Sequence, residues 1–263
     1  MQRFRANKKF IAAFSRIDLV AVILTLAALG TVATVFAAHS RRTRPLTQCS
    51  FNLKELGIAM AIYTGDNNRC LPFAFIKYNN HESTSWDTLI FPFINFKDSP
   101  VVGSLSLDKK HETLLCPADT VNEQGRLRRT YAMSEHNMDS INWPPAPENG
   151  TGVGLWWSSD NADGNAALKN VFSTEGGLPA VRLDMLAAPA GTLLLTEQAR
   201  ADNVMFTYSH ASINAANKQF LDWNSTKKNP YHYGKFNYLM ADSHVETLLP
   251  AEKPGMWTIR PDD

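Results

Sequence analysis

Hydrophobic and polar positions divide this chain into an apolar N-terminal run, an amphipathic helix and a region of short strands. Residues 19–38 are twenty positions without a charged side chain, enough at about 1.5 Å of helical rise per residue to cross a bilayer. Pro45 is expected to kink or restart the helix. Apolar residues then recur at spacings of three and four, namely Leu46, Cys49, Leu53, Leu56, Met60 and Tyr63. This pattern predicts an amphipathic helix that ends near the turn-forming residues 65–68.

The rest of the chain alternates short apolar runs with turn-forming residues, which predicts strands. The predicted strands are residues 89–91, 113–115, 129–133, 192–196, 236–241 and 244–249. Residues 181–186 are expected to form a short helix or strand that ends before Pro189. Residues 142–170, rich in Pro, Gly, Asp and Asn, are expected to form a long irregular insert. The predicted fold class is therefore α+β, with a long N-terminal helix packed on an antiparallel sheet and long irregular loops.

A single acid, Asp18, stands at the entrance to the apolar run. A lone charge costs roughly 2.5–3.5 kcal/mol at the centre of a membrane helix and less near its end. We therefore expect a cationic group to pair with Asp18. Five basic residues precede the run and three follow it: Arg3, Arg5, Lys8, Lys9 and Arg16, then Arg41, Arg42 and Arg44. This bias predicts a cytoplasmic N-terminus. A plain membrane anchor and a cleaved secretory signal are alternatives, although the apolar core of such signals is only about 7–15 residues long.

Charge and cysteine content narrow the classes of partner. The net charge is +1, and residues 1–13 carry four positive charges and no negative one, so their removal leaves −3. No concentrated basic surface is indicated, and we predict no nucleic-acid partner. Three cysteines in an oxidising compartment predict one disulfide and one free thiol. The sequence leaves the pairing open between Cys49 with Cys116 and Cys49 with Cys70.

The residues around the start of the apolar run resemble those of a type IV prepilin. In that family a basic leader ends in a small residue, cleavage occurs before a Phe, and an acid is the fifth mature residue. Here Phe14 would be the first mature residue and Asp18 the fifth. The resemblance implies cleavage between Ala13 and Phe14 by a prepilin peptidase, and N-methylation of Phe14. It also implies pairing of Asp18 with the new amine of a neighbouring subunit. Ala13 replaces the usual Gly, and Asp18 the usual Glu.

Further motifs resemble a family of large pilin-like proteins that have a C-terminal motif of His, nine residues and Asp-Gly. His232 is followed by nine residues and Asp242, with Ser243 in place of Gly. The other matching segments are residues 49–57, 63, 66–68, 85–89, 116–119 and 131–133. The resemblance spans most of the chain and implies a pilin-like head.

Together these resemblances imply a non-enzymatic subunit of a type IV pilus-like or type II secretion pseudopilus-like assembly. The expected divisions are a leader (1–13), a transmembrane helix (14–38), its amphipathic continuation (39–65) and a periplasmic head (66–263). The expected location is the inner membrane, with one span and a cytoplasmic N-terminus. The expected partners are the prepilin peptidase, other pilin-like subunits that pack through the N-terminal helix, and the membrane. The alternative is a membrane-tethered enzyme, or a carbohydrate- or partner-binding module, that uses the leader only for localisation.

The C-terminal motif has two interpretations. Residues 237–248 predict a hairpin whose turn is capped by Asp242 and contacted by His232. Alternatively, His232, Asp242 and His244 are weak candidates for a metal site, because two His and one carboxylate can form a metal triad.

Other features suggest ligands only weakly. Residues 66–68 and 160–164 suggest calcium loops, but position 12 counted from Asp160 is Val171 rather than the Glu of an EF-hand. We therefore predict no cofactor, with calcium as the alternative.

The tryptophans Trp143, Trp156, Trp157 and Trp223 suit a carbohydrate or partner surface, although core roles are commoner. No nucleophile, zinc-protease, phosphate-loop or dinucleotide motif occurs, and we predict no catalytic residue.

Overall fold

A computed structural model describes most of the chain from Ser15 onward. The described residues are 15–77, 83–94, 112–121, 127–136, 152–158, 180–198, 200, 202–206, 211–213, 232–249 and 256. The chain separates into two compact units, Met1–Arg44 and Pro45–Asp263. The first unit contains the apolar part of a long helix, and the second contains the rest of that helix and the head.

Helix α1 (Arg16–Asp66) begins with a reciprocal cap. The Ser15 backbone N–H donates to Asp18 Oδ2 at 2.9 Å, and Ser15 Oγ accepts the N–H of Ile17 at 3.1 Å. Such caps satisfy donors that the first helical turn leaves unpaired. Asp18 therefore has a local structural role in addition to any role in assembly.

The described part of the first unit, from Ser15 onward, presents an exposed apolar helix surface. The most apolar 18-residue window of α1 has a mean hydropathy of 2.4, and none of it is buried. The hydroxyls of Thr25, Thr31 and Thr34 each donate to a carbonyl three residues earlier, at 2.7–2.8 Å. The threonine hydroxyls in this run thus find their hydrogen-bond acceptors within the helix itself. Within the described residues this is the one helix long and apolar enough to span a membrane.

The second part of α1 packs its predicted stripe into the core of the head. Cys49, Leu53, Leu56 and Met60 are at most 1 % exposed, which confirms the periodicity read from the sequence. The helix includes Pro45 and ends at Asp66, as predicted from the turn-forming residues.

Two mixed sheets form the strand part of the head. The first contains β1 (Phe75–Lys77), β2 (Ser83–Ser85) and β4 (Trp156–Ser158), in the order β2-β1-β4. The second contains β3 (Tyr131–Ser134), β5 (Leu193–Glu197), β6 (Ser212–Ile213), β7 (Phe236–Met240) and β8 (Val245–Leu248). Its order is β6-β3-β5-β7-β8. The α+β class is confirmed.

The expectation of an antiparallel sheet is wrong for two strand pairs. β1 pairs in parallel with β4, and β3 pairs in parallel with β6. Both pairs are joined by long connections, which allow the chain to return to the same end of the sheet before pairing. The remaining pairs, including β5 with β7 and β7 with β8, are antiparallel.

Three predicted elements differ in type. Leu89–Phe91, predicted as a strand, falls in helix α2 (Trp86–Ile90) and the 3-10 turn Phe91–Phe93. Residues 113–115, also predicted as a strand, belong to a helical turn. β4 lies inside the segment predicted to be irregular. Short apolar runs fit a buried helix as well as a strand, and the neighbouring chain decides between them.

The central strands β5 and β7 are buried along their full length because both faces of the sheet are covered. On one face Leu195 and Leu239 join the main core with α1. On the other, Leu193, Phe236, Tyr238, Met240 and Ile213 form a smaller core with Met256.

The β7–β8 hairpin turns at Asp242 and Ser243, as predicted. The Ser243 N–H donates to the Met240 carbonyl at 2.9 Å, and the His244 N–H donates to Asp242 Oδ1 at 3.1 Å. Ser243 has a φ of 72°, in the left-handed region that favours glycine. Its hydroxyl lies 3.4 Å from the carbonyl oxygen of Gly57, so the turn rests against α1.

Replacing Ser243 by Gly should raise the free energy of unfolding by about 0.5–1 kcal/mol. The left-handed conformation costs roughly 1–2 kcal/mol for a residue with a Cβ, and part of the gain is offset by the larger backbone entropy of Gly. The measurement is denaturant unfolding of the chain in detergent micelles. Ser243→Ala is the control, since it removes the hydroxyl but keeps the Cβ. Equal stability of the two variants would contradict backbone strain at this turn.

Candidate functional site

A buried carboxylate lies at the centre of the head. Glu197, the last residue of β5, has no exposure to solvent. Its Oε2 accepts the Asn237 backbone N–H at 2.8 Å, and its Oε1 accepts the Asn237 side-chain Nδ2 at 2.9 Å. The Nε2 of His232 lies 3.0 Å from the same Oε1. Three polar groups therefore replace the water that this carboxylate loses on folding, as a buried charge requires.

A disulfide lies directly beside this carboxylate and imidazole. Cys49 of α1 is joined to Cys116, which follows the helical turn at residues 112–113. The Nε2 of His232 lies 3.4 Å from Cys116 Sγ. Since both neighbours of Nε2 are acceptors, this nitrogen carries the hydrogen in the disulfide form. The pairing with Cys116, rather than with Cys70, is the one present in the structure, and Cys70 is a free thiol.

His232 is held in an unusual backbone conformation. Its φ is 41°, and the 3-10 turn that it begins (His232–Gly234) ends at Gly234, which has a φ of 87°. A left-handed non-glycine residue costs free energy and persists only where its surroundings impose it. Here the side chain is 2 % exposed and contacts Glu197. The sequence expectation that His232 contacts the hairpin turn is therefore wrong, because the turn lies at the other end of β7.

Asp242 and His244 meet at the exposed hairpin turn, apart from His232. His244 Nδ1 lies 2.5 Å from Asp242 Oδ1, and His244 Nε2 lies 3.1 Å from Glu246 Oε1. Partial burial lowers the His244 pKa, but the hydrogen bonds that Glu246 and Asp242 accept from the imidazole outweigh this effect and leave the pKa raised. Partial burial also opposes ionisation of Asp242, but the hydrogen bonds from His244 leave the Asp242 pKa lowered. The structure does not bring His232, Asp242 and His244 together as one set of metal ligands.

A buried ion pair joins Asp87, in the motif at residues 85–89, to Arg129, which lies two residues before the motif at residues 131–133. Arg129 Nη1 donates to Asp87 Oδ1 at 2.6 Å, and both side chains are fully buried. The Nε of Arg129 donates to Asn203 Oδ1 at 2.8 Å, and Asp87 Oδ2 accepts the Phe206 backbone N–H. The guanidinium also lies 5.8 Å from the centre of the Trp86 ring. Burial lowers the Arg129 pKa, and the charge of Asp87 partly offsets this effect.

A third buried cluster fixes the segment that contains Cys116. Arg128 Nη2 donates to Asp119 Oδ2 at 2.7 Å, and Thr130 Oγ1 donates to the same oxygen at 2.8 Å. Thr130 Oγ1 also accepts the Cys116 backbone N–H at 3.0 Å. On the other side, Asn52 of α1 donates to the carbonyls of Glu112 and Leu115. The cysteine is therefore positioned by hydrogen bonds from α1 and from the segment that leads into β3.

Tyr131 is a buried hydrogen-bond donor whose pKa depends on burial and on the nearby carboxylates. Its hydroxyl donates to the Cys49 carbonyl at 3.4 Å, and the residue is fully buried. Burial raises the Tyr131 pKa well above its ordinary value, and the charge of Glu197 raises it further. Tyr131 therefore stays protonated as a donor.

The weaker ligand candidates have structural roles where they are described. The Asn67 side chain donates to the Tyr63 carbonyl at 2.7 Å, which closes the end of α1. Trp156 packs edge-on against Phe75, with ring centres 5.5 Å apart, and Trp157 packs against the main core. Residues 160–164, Trp143, Trp223 and the processing residues Ala13 and Phe14 lie outside the described residues.

Sequence reasoning missed the residues that complete these clusters: Arg128, Arg129, Glu197, Asn203 and Asn237. One signal for Glu197 was available, since it is a lone acid directly after the predicted strand 192–196. Arg128 and Arg129, at the start of the predicted strand 129–133, were a second signal. Asn203 and Asn237 carry no comparable sequence signal, because their partners are distant in the chain.

Comparisons of the chain with protein-family models, with curated proteins and with solved structures gave no match. The resemblance to pilin-like proteins therefore rests on the motifs of this sequence.

Replacing Arg129 by Met should destabilise the head by about 3–5 kcal/mol, because Asp87 is left as a buried carboxylate without its cation. Denaturant unfolding followed by tryptophan fluorescence measures the effect. The matched control is Arg182→Met, which breaks a pair with Asp184 whose side chains are 40 % and 44 % exposed. That variant should change stability little, since exposed ion pairs contribute little. Similar losses in both variants would contradict the role of burial.

Proposed function

We propose that the chain is a non-enzymatic structural subunit of a type IV pilus-like or type II secretion pseudopilus-like assembly. The observation that carries the proposal is the lone acid, Asp18, at the entrance to an apolar helix surface that the first unit leaves uncovered. A basic, acid-free segment precedes it. A span, an entrance carboxylate and a basic leader are the three features of a prepilin N-terminus.

The surface of the first unit supports insertion in a membrane. Large apolar side chains in this part of α1 are 42–80 % exposed; they are Ile17, Leu19, Val20, Val22, Ile23, Leu24, Leu26, Leu29, Val32, Val35 and Phe36. Water makes such a surface costly, whereas lipid does not. The hydrogen-bonded threonines also suit hydrocarbon, where water cannot satisfy polar groups. The excess of basic residues before the run supports a cytoplasmic N-terminus and a periplasmic head.

Pairing between subunits would explain why an acid is placed at this position. Cleavage between Ala13 and Phe14 creates a new amine on Phe14, and Asp18 becomes the fifth residue of the mature chain. A carboxylate and an amine that are each costly alone in lipid stabilise one another when two subunits lie side by side. Helix capping alone gives a second explanation for Asp18, since the residue also accepts the Ser15 N–H.

The head supports a structural rather than an enzymatic role. The motif residues Asp87 and Asp119 are enclosed in hydrogen-bonded ion pairs, with side chains at most 1 % exposed. Groups used in this way hold the fold and do not face a substrate. A membrane-tethered enzyme or binding module is the outcome that the following experiments would reveal if assembly fails.

Processing is tested on protein recovered from cell envelopes. N-terminal sequencing and intact mass should show a chain that begins at Phe14, lacks residues 1–13 and carries a methyl group on its amine. A chain that still begins at Met1, or a soluble chain that begins after Ala37 or Ala38, would overturn the proposal. The second result would instead identify a secretory signal.

Assembly is tested with two substitutions of Asp18 that separate charge from capping. Asp18→Asn keeps an oxygen that accepts the Ser15 N–H but removes the charge, so cross-linked oligomers in the envelope should be lost. Asp18→Glu, which supplies the acid usual in pilins, should keep them. Circular dichroism should show equal helix content in both variants. Unchanged oligomers in Asp18→Asn would reduce Asp18 to a cap and favour the tethered module.

A further inference from the structure

We infer that Cys49, Cys116, Glu197 and His232 form a Zn²⁺ site when the two cysteines are present as thiols. One ligand atom from each of the four side chains lies within 4.8 Å of all the others. Two sulfurs, one imidazole nitrogen and one carboxylate oxygen are a donor set that zinc accepts. This arrangement depends on tertiary contacts, because the four residues are far apart in the sequence.

The distances from His232 Nε2 to the sulfur and to the carboxylate are already close to those around a tetrahedral ion. At zinc bond lengths of about 2.0–2.3 Å, neighbouring ligand atoms in a tetrahedron are roughly 3.3–3.8 Å apart. His232 Nε2 already lies 3.4 Å from Cys116 Sγ and 3.0 Å from Glu197 Oε1. The two sulfurs must separate from bonding distance. Rotation about the Cα–Cβ bonds provides this while the Cα atoms remain 4.9 Å apart.

The surroundings of the four side chains suit a structural metal site. Cys49 and Glu197 have no exposure, and Cys116 is 2 % exposed. Asn237 donates to both Glu197 oxygens, which fixes the carboxylate as outer hydrogen bonds fix metal ligands. The strained backbone at His232 directs Nε2 towards the sulfur and the carboxylate. A dry, closed set of four ligands predicts a structural rather than a catalytic ion.

The interconversion of the two forms balances as follows. A dithiol reductant transfers two electrons and two protons to the Cys49–Cys116 disulfide, which yields two thiols and the disulfide of the reductant. Zinc binding then releases the two thiol protons. The hydrogen on His232 Nε2 moves to Nδ1, so that Nε2 can bind the metal while the ring stays neutral.

Such a site would let one position tie α1 to the Cys116 segment in either redox state. In an oxidising compartment the disulfide makes the connection. Before the cysteines are oxidised, the metal makes the same connection through the two cysteine thiolates and the buried side chains of Glu197 and His232. This inference is independent of the proposed assembly, because it depends only on contacts inside the head.

The test uses the full chain in detergent, reduced with a phosphine that is then removed anaerobically. Titration with Co²⁺ should give one equivalent per chain with the sulfur-to-metal absorption of a tetrahedral thiolate site, and Zn²⁺ should displace it. The air-oxidised chain should bind none at this position. Zinc should also raise the melting temperature of the reduced chain and slow alkylation of Cys49 and Cys116.

Matched variants distinguish the site from adventitious binding to thiols. His232→Gln and Glu197→Gln should each weaken Co²⁺ affinity at least tenfold. His244→Gln, at the exposed turn, and Cys70→Ser, at the free thiol, should bind as the wild type does. The inference is overturned if the reduced wild type binds less than one equivalent or remains unfolded with zinc. Binding that survives both His232→Gln and Glu197→Gln, or that requires Cys70, overturns it equally.

Discussion

The head depends on the burial of the Glu197 carboxylate. A charge without access to water is tolerated only when polar groups surround it, and here Asn237 and His232 provide them. This requirement fixes β5 against β7, because the Asn237 backbone is one of the donors. It also fixes the turn that carries His232, whose imidazole contacts the disulfide between Cys116 and α1. One carboxylate thus couples the sheet, the helix and the cross-link.

Two buried ion pairs extend the same principle to helix α2 and to the loop that contains Asp119. Asp87 lies in the short helix α2 and Asp119 lies in a loop, and the adjacent residues Arg129 and Arg128 pair with them. Adjacent arginines on an extended segment point to different sides, so a single stretch of chain fixes both α2 and the loop at Asp119. The hydrogen bonds of Asn203 and Thr130 complete the two clusters. Removing one residue of either pair would leave the other as an uncompensated buried charge.

The two units of the chain are suited to different solvents. Up to Arg44 the helix exposes its apolar side chains and satisfies its threonine hydroxyls internally. From Pro45 onward the helix is amphipathic and buries one face in the head. A single helix thus contains a segment suited to lipid and a segment suited to a protein core. Asp18 stands at the N-terminal end of the first segment, where a charge costs less than at the centre of an apolar helix.

The sequence by itself determined the elements that depend on local patterns. The spacing of apolar residues from Leu46 to Tyr63 predicted the buried face of α1, and the turn at Asp242 and Ser243 predicted the β7–β8 hairpin. These predictions held because periodicity and turn geometry act over a few residues. Short runs such as residues 89–91 were assigned the wrong element, since their length does not separate a strand from a helix.

Only the tertiary structure decided which polar residues meet. Glu197, His232 and the Cys49–Cys116 pair come from four distant segments, and no spacing in the sequence brings them together. The sequence also did not predict the parallel pairings of β1 with β4 and of β3 with β6, because long connections leave strand direction open. The physical reason is the same in each case. Hydrophobic patterning acts locally, whereas the partners of buried charges and edge strands are chosen by the packing of the whole head.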